Sequence, residues 1–429
     1  MDARSRAADL LALVPAAAIP LLFLHRRYQL HGAVGPVDVY TSDLAILAVV
    51  AAALAAGLRF GWRPLLGPRR LWIATGCLLG LFVVSCLWAP VEQPTRHLVT
   101  AAKVIEYALL APAVVLLLRR KEQIDRFLLA FVGWACAASG WGLLQFFGLV
   151  NEFEGKRPGQ REVSFIGHQD LGGFTGAALA VAFAAIVLGE RRRLAQVAAV
   201  AGVLGVVLDA SVFVYLGCLL AAGAAVWIGR RAGTLTLRRG LALAGILAVT
   251  GAGVLVLRAS DFSNFMSFLG IRSTNASIAQ DVQTGSQRTM LAWIGLRIWI
   301  DHPILGVGFD RSQNRYQDYL AEAKRKFPDQ PAQAYPSPEH PWGIQNLWVQ
   351  LLADTGVVGL LLALLTFILG LRRALTAPRA AVFLGLVAAG WILVAAGTWN
   401  ALGIVAGIPL EAVTWFGLGL AAVAGSVEP

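Results

Sequence analysis

The chain has 429 residues, of which 57% are apolar and 14% charged, with a formal net charge of +11. Soluble domains run nearer about 45–50% apolar and about 25% charged, whereas roughly 245 apolar residues would fill about a dozen bilayer crossings at ~20 residues each. This balance excludes an ordinary cytosolic enzyme, a secreted disulfide scaffold and a disordered tail; the positive charge sits in short Arg clusters between apolar runs, the pattern of cytoplasmic loops and not of a nucleic-acid binder.

In chain order, apolar runs fall at residues 7–24, 43–58, 71–89, 104–118, 127–150, 171–189, 194–208, 211–228, 240–257, 347–370, 380–399 and 401–424. A bilayer offers the backbone no outside hydrogen-bond partner, so each run is expected to be a helix. The expected fold is all-α, a polytopic integral membrane protein of about 12 transmembrane helices. The first run follows Arg4 and Arg6 and continues through Leu24 without a small-residue cleavage site, which reads as a retained span. Cys77, Cys86, Cys136 and Cys218 lie inside apolar runs with no CxxC spacing, as packing residues do.

Counting Lys and Arg in alternate loops sets the expected orientation. With the N-terminus inside, the inner loops hold 20 of the 36 basic residues, the short outer loops seven, and the long segment from Arg258 to Gln345 nine. Both termini are then cytoplasmic, and the long segment faces outward between the ninth and tenth spans. The chain divides into spans one to nine (1–257), an extracytoplasmic loop region (258–344) and spans ten to twelve (345–429). Within the loop, RTMLAWIGLRIWIDHPILGVGF spaces its apolar residues as an amphipathic helix on or near the membrane surface. RSQNRYQDYLAEAKRKF reads as a second, solvated helix, and the Pro-rich FPDQPAQAYPSPEHPW cannot be regular.

Charges outside the inner loops are the informative ones, because polar groups at membrane depth are costly and usually face a cavity. The outer basic set comprises Arg96, His97 and Lys103, then Lys156, Arg157, Arg161 and His168, then Arg288, Arg297 and Arg311. Guanidinium forks of this kind grip phosphate oxygens bidentately and stabilise a departing anion; the structural alternative is headgroup contact. The run EHPWGIQNLWVQLLADTGVVGLLL places His340, Trp342, Gln345 and Asn346 where the chain re-enters the membrane, combining a proton acceptor with hydroxyl-binding amides, or merely anchoring a helix start. Glu106 and Glu411 lie within spans, and Asp43 and Asp209 near span ends; Lys103 and Glu106, one helical turn apart, can simply pair. GVGFD at 306–310 lacks a third glycine and a preceding strand, so it reads as a turn. No HExxH, CxxC or outer DxD pattern points to a metal site, and no cofactor is expected.

The order of these features resembles the bacterial O-antigen ligase and O-antigen polymerase family. Two stretches carry the resemblance, Arg288 to Tyr316 with its DHPILGVG turn and Gln345 to Leu362 with LLADTGVVGLL; a third is SFIGHQDLGGF at Ser164 to Phe174. The resemblance implies a multi-pass glycosyltransferase of the bacterial cytoplasmic (inner) membrane, its active site facing the periplasm or cell exterior. Such an enzyme moves a glycan from undecaprenyl diphosphate to a hydroxyl of a lipid, glycan or protein acceptor, without nucleotide sugar or metal. Arg288 matches the family's loop arginine, and Lys103 resembles its basic residue before the fourth span. Two positions depart. Family members often have His where this chain has Gln345, and Ser-Arg where it has Ser211 and Val212. Glutamine cannot act as a base and valine cannot bind phosphate, so the expectation is that His340 supplies the base, helped by Gln345 and Asn346, and that Arg157, Arg161 or Arg297 joins Arg288, Lys103, Arg311 and His168 at the diphosphate. The rival readings are a polysaccharide polymerase of the same family, a polyprenyl-phosphate-sugar transferase using Asp38 or Asp43, a lipid-glycan transporter, and an inactive relative.

Overall fold

The computed structural model describes residues 3–35, 37–87, 94–151, 158–259, 284–328, 330–340, 342–404 and 408–426. Each apolar run falls largely on a helix: α1 (Ala3–Leu22), α2 (Thr41–Phe60), α3 (Arg69–Ser85), α4 (Pro94–Ala108) continuing into α5 (Leu110–Leu117), α6 (Lys121–Phe146), α7 (Asp170–Leu188), α8 (Arg192–Asp209), α9 (Val212–Arg231) and α10 (Leu237–Leu257). After α11 (Thr284–Asp301) and α12 (Tyr316–Lys326) come α13 (Leu347–Leu375), α14 (Val382–Thr398) and α15 (Ile408–Ala424). Among the described residues, eight segments are long and apolar enough to cross a membrane: α2, α4 with α5, α6, α7, α9, α10, α13 and α14. The twelve expected spans therefore correspond to eight that qualify by length and composition; α3 and α15 are each 17 residues long.

The helix α7 forms the centre of the bundle, packed by α8, α9, α14 and α15. Its sequence DLGGFTGAALAVAFAAIVL has no polar face, and nearly every residue is buried, as an all-round apolar helix requires. In apolar surroundings helices associate by close packing of small residues. Thus α9 and α14 cross at Gly217 and Gly397, where a Cβ on Gly397 would stand 2.8 Å from the Gly217 Cα. By contrast α10 leaves Leu241, Val249, Leu255 and Val256 more than half exposed, which suits a lipid-facing position.

Three features add to the expected picture. A short antiparallel hairpin, β1 (His31–Val34) and β2 (Val37–Tyr40), follows α1; its four-residue strands carry too little alternation to stand out in the sequence. The apolar stripe of α11, Met290, Leu291, Ile294 and Ile298, is fully buried against Tyr316, Ala323, Tyr335, Ile344 and Ala353, so protein covers the face that sequence reasoning assigned to the membrane surface. Finally, α13 is broken at Gly356 (φ 64°, ψ −165°). The DHPILGVG turn docks onto that break through Val307 N–H to Ala353 O (3.0 Å), Gly308 N–H to Asp354 O (2.7 Å) and Val357 N–H to Pro303 O (2.9 Å). The buried Asp354 carboxylate accepts from the N–H groups of Asp310 (3.1 Å) and Ser312 (2.9 Å). The two most distinctive stretches of the sequence are therefore one structural unit: the turn satisfies backbone groups that a break at membrane depth would orphan.

Candidate active site

A cavity of about 500 Å³ opens where several helices begin. Its walls come from the loop after α1 (His25, Arg26, Gln29), the start of α2 (Ser42, Asp43), α4 (Thr100, Lys103, Tyr107), the turn into α7 (His168, Gln169, Asp170), Arg288 of α11, Gln345 before α13, and Glu411 in the first turn of α15. The starts of α2, α7 and α15 line it and Gln345 lies two residues before α13, so the partial positive ends of helices gather around one space. This explains why carboxylates line a site with Arg26, Lys103 and Arg288. Asp43, Asp170 and Glu411 each sit in the first turn of a helix, where negative charge is favoured.

Arg288 is held from two sides. Its Nε donates to Gln345 Oε1 at 2.7 Å. With the Gln169 amide turned to satisfy both its ends, the Gln169 oxygen accepts from the Arg288 guanidinium and the nitrogen donates to Ala401 O at 2.5 Å. Gln169 is itself locked: its φ is +66°, and its N–H donates to Asp209 Oδ1 at 2.9 Å. Arg161 braces the same turn, donating to Asp209 O (2.9 Å) and approaching His168 Nε2 (3.2 Å). The chain Asp209, Gln169, Arg288, Gln345 thus preorganises one guanidinium at the cavity wall, the condition under which charge is most effective in catalysis.

Across the cavity Lys103 pairs with Asp43 and lies 3.7 Å from Glu106. Asp43 also accepts the Tyr40 N–H (2.7 Å), closing the N-terminus of α2. Glu411 is 5% exposed and accepts from Trp415 Nε1 at 2.6 Å, a neutral partner, and no ion pair to it forms among the described residues. His25 packs against Gly167, where φ is +117° and a Cβ would fall 2.9 Å from the imidazole. Burial, then Arg26 and Arg27, push its pKa down to about 4. Its Nδ1 accepts from the Arg27 N–H (3.2 Å), so the neutral ring carries its proton on Nε2.

A sequence model of the O-antigen ligase family matches residues 163–364, a span that encloses all three stretches carrying the resemblance. Over residues 163–364 the chain is thus similar to the O-antigen ligase family. Members of this family are glycosyltransferase-like membrane enzymes, ligases and polymerases. Curated proteins searched with the chain give no match.

The stretch that matches the family supplies His168, Gln169, Asp170, Arg288 and Gln345, while Lys103, Asp43 and Glu411 reach the cavity from outside it. Of the residues singled out from sequence, Asp38, Asp43, Lys103, His168, Arg288, Gln345 and Glu411 line the cavity together. Arg161 stands behind His168 and braces it. Arg297 pairs instead with Glu322 (3.4 Å), and the buried Arg311 donates to Cys86 O (2.8 Å). Asn346 caps α13, accepting from Val349 N–H (3.1 Å). His340 is exposed and stacks on Trp342, centroids 6.0 Å apart, and does not line the cavity. Arg157 lies outside the described residues. Among the described residues, no group of three or more His, Cys, Asp or Glu side chains is placed to hold a metal ion.

Sequence reasoning missed Gln169, Tyr40 and the loop from His25 to Gln29. Gln169 stood beside His168 in the SFIGHQDLGGF stretch, but an amide carries no chemical signal until its partner is known. The first loop was visible only as outer-side arginines.

Proposed function

We propose that the chain transfers a glycan from undecaprenyl diphosphate to an acceptor hydroxyl on the extracytoplasmic side of the bacterial inner membrane, without a metal. The observation that carries this reading is the meeting of Lys103 and Arg288, far apart in sequence, on one cavity at a cluster of helix N-termini. A diphosphate needs that arrangement: the guanidinium fork and the ammonium take its oxygens, and the helix ends add partial positive charge.

In the reaction the acceptor oxygen bonds to the anomeric carbon as the bond from that carbon to the diphosphate oxygen breaks. Arg288 and Lys103 take up the negative charge on the leaving undecaprenyl diphosphate. The acceptor proton needs a base, and Gln345 cannot provide it. We assign this role to Glu411, because its buried carboxyl lines the cavity and its hydrogen-bond partner among the described residues is an indole N–H, whereas Asp43 is engaged by Lys103 and by backbone. His340 is too exposed and outside the cavity for the part that sequence reasoning assigned to it.

Asp38 and Asp43 also line the cavity, which keeps the polyprenyl-phosphate-sugar reading in play. Purified protein offered diphosphate- and monophosphate-linked donors, with and without chelator, separates the two. Our reading expects product from the diphosphate donor alone, unaffected by chelator; product from the monophosphate donor that chelator abolishes overturns it.

A further inference from the structure

A second basic site lies at the opposite end of the bundle. Gly67 to Leu71 at the start of α3 and Leu369, Arg372, Arg373 and Thr376 near the end of α13 enclose a groove of about 390 Å³. Arg372 is 27 residues beyond Gln345 in the chain, near the far end of α13 from the main cavity. Four arginines, Arg69, Arg70, Arg372 and Arg373, reach the groove, and among the described residues no carboxylate lines it.

They are not equivalent. The Arg373 guanidinium is built into the wall, donating to Ala422 O (3.2 Å), Gly67 O (3.4 Å) and Ser426 Oγ (2.7 Å), and so ties α13 to α15 and to the turn before α3. Arg69, Arg70 and Arg372 have no ion pair or side-chain hydrogen bond among the described residues. Three cations held together without a counter-charge repel one another unless an anion joins them.

The apolar surroundings say which kind of anion. Ile73 lies one helical turn beyond Arg69, and Ile368 one turn before Arg372, on the same faces as those arginines; they are 54% and 58% exposed. Leu71 and Leu369 line the groove itself. Positive charge directly above exposed aliphatic side chains on two neighbouring helices matches an amphiphile, with a phosphate head and acyl chains, better than a free ion. We infer that this groove binds the phosphate headgroup of an anionic phospholipid, with the acyl chains lying along Ile73 and Ile368.

The test uses the full-length protein in detergent, titrated with phosphatidylglycerol, phosphatidylcholine or inorganic phosphate and read by native mass spectrometry and thermal shift. Wild type is expected to retain and be stabilised by phosphatidylglycerol selectively. The R69Q/R70Q/R372Q variant, which leaves the structural Arg373 intact, is expected to bind it at least about tenfold more weakly, since each basic side chain near an anionic lipid surface adds about 1 kcal/mol. The charge-retaining R69K/R70K/R372K variant should keep most of the binding, and single R372Q serves if the triple variant does not fold. Equal binding of the two lipids, an unchanged affinity in the glutamine variants, or displacement of the lipid by millimolar inorganic phosphate with equal stabilisation would overturn the inference.

Discussion

Replacing Gln345 by leucine isolates the contact that holds Arg288 from the side of α13. Its amide oxygen receives the Arg288 Nε–H at 2.7 Å, so Gln345 is a positioning residue and not a base. Leucine keeps the approximate volume and removes the acceptor. A hydrogen bond to a charged group contributes about 1.5–3 kcal/mol, and if that energy holds the guanidinium in its reactive position, its loss appears in the barrier as roughly a tenfold to hundredfold slower transfer. The assay is product formation from a synthetic lipid-diphosphate oligosaccharide, followed by mass. Gln345→Glu, which restores an oxygen acceptor, should recover a large part of the rate. A leucine variant turning over within about twofold of wild type would refute the positioning argument, because the contact would then contribute almost nothing where the reaction needs it.

Three further outcomes are expected. Glu411→Gln should lower transfer by about 10²–10⁴, the usual range for a lost general base, while His340→Ala stays near wild type; the reverse pattern returns the base role to His340. Gly356→Ala puts a Cβ against the Ile304 carbonyl at a backbone conformation that side chains rarely adopt. It should cost about 1–3 kcal/mol, seen as a lower midpoint of thermal unfolding in detergent, and an unchanged midpoint would mean that the docked turn does not stabilise the fold. For His25, a folded pKa near 4 against an ordinary 6.5 means that the unfolded chain binds the proton first. Its contribution to stability is present above about pH 6.5 and lost as pH falls toward 4; His25→Gln should flatten that part of the stability profile, and an identical profile would contradict the assignment.

The helices were legible because a bilayer allows little else: runs such as 171–189 and 347–370 are dominated by apolar residues, and both became helices. What periodicity could not convey was partnership. Nothing in GVGFD or ADTG announces that the two hydrogen-bond to each other, since the signal is backbone geometry at Gly306, Gly308 and Gly356 and not side-chain chemistry. The same limit applied at the cavity. Lys103 and Arg288 stood out because charge at membrane depth is costly, but so did Arg297 and Arg311, which the fold commits elsewhere. His340 drew attention as the nearest imidazole to Gln345, although sequence proximity across Pro-rich chain does not place a ring in a pocket. Glu411 was visible as a buried acid, and only the helix starts gathered around it gave it a setting.

The central claim is that Arg288 and Lys103 receive the leaving diphosphate. Purified wild-type and Arg288→Ala proteins, incubated with an undecaprenyl-diphosphate glycan and an acceptor, test it most directly. Wild type is expected to give an acceptor heavier by the mass of the glycan, together with released undecaprenyl diphosphate, and Arg288→Ala a rate lower by about 10²–10³; equal product from the two proteins would mean that Arg288 does not receive the leaving group.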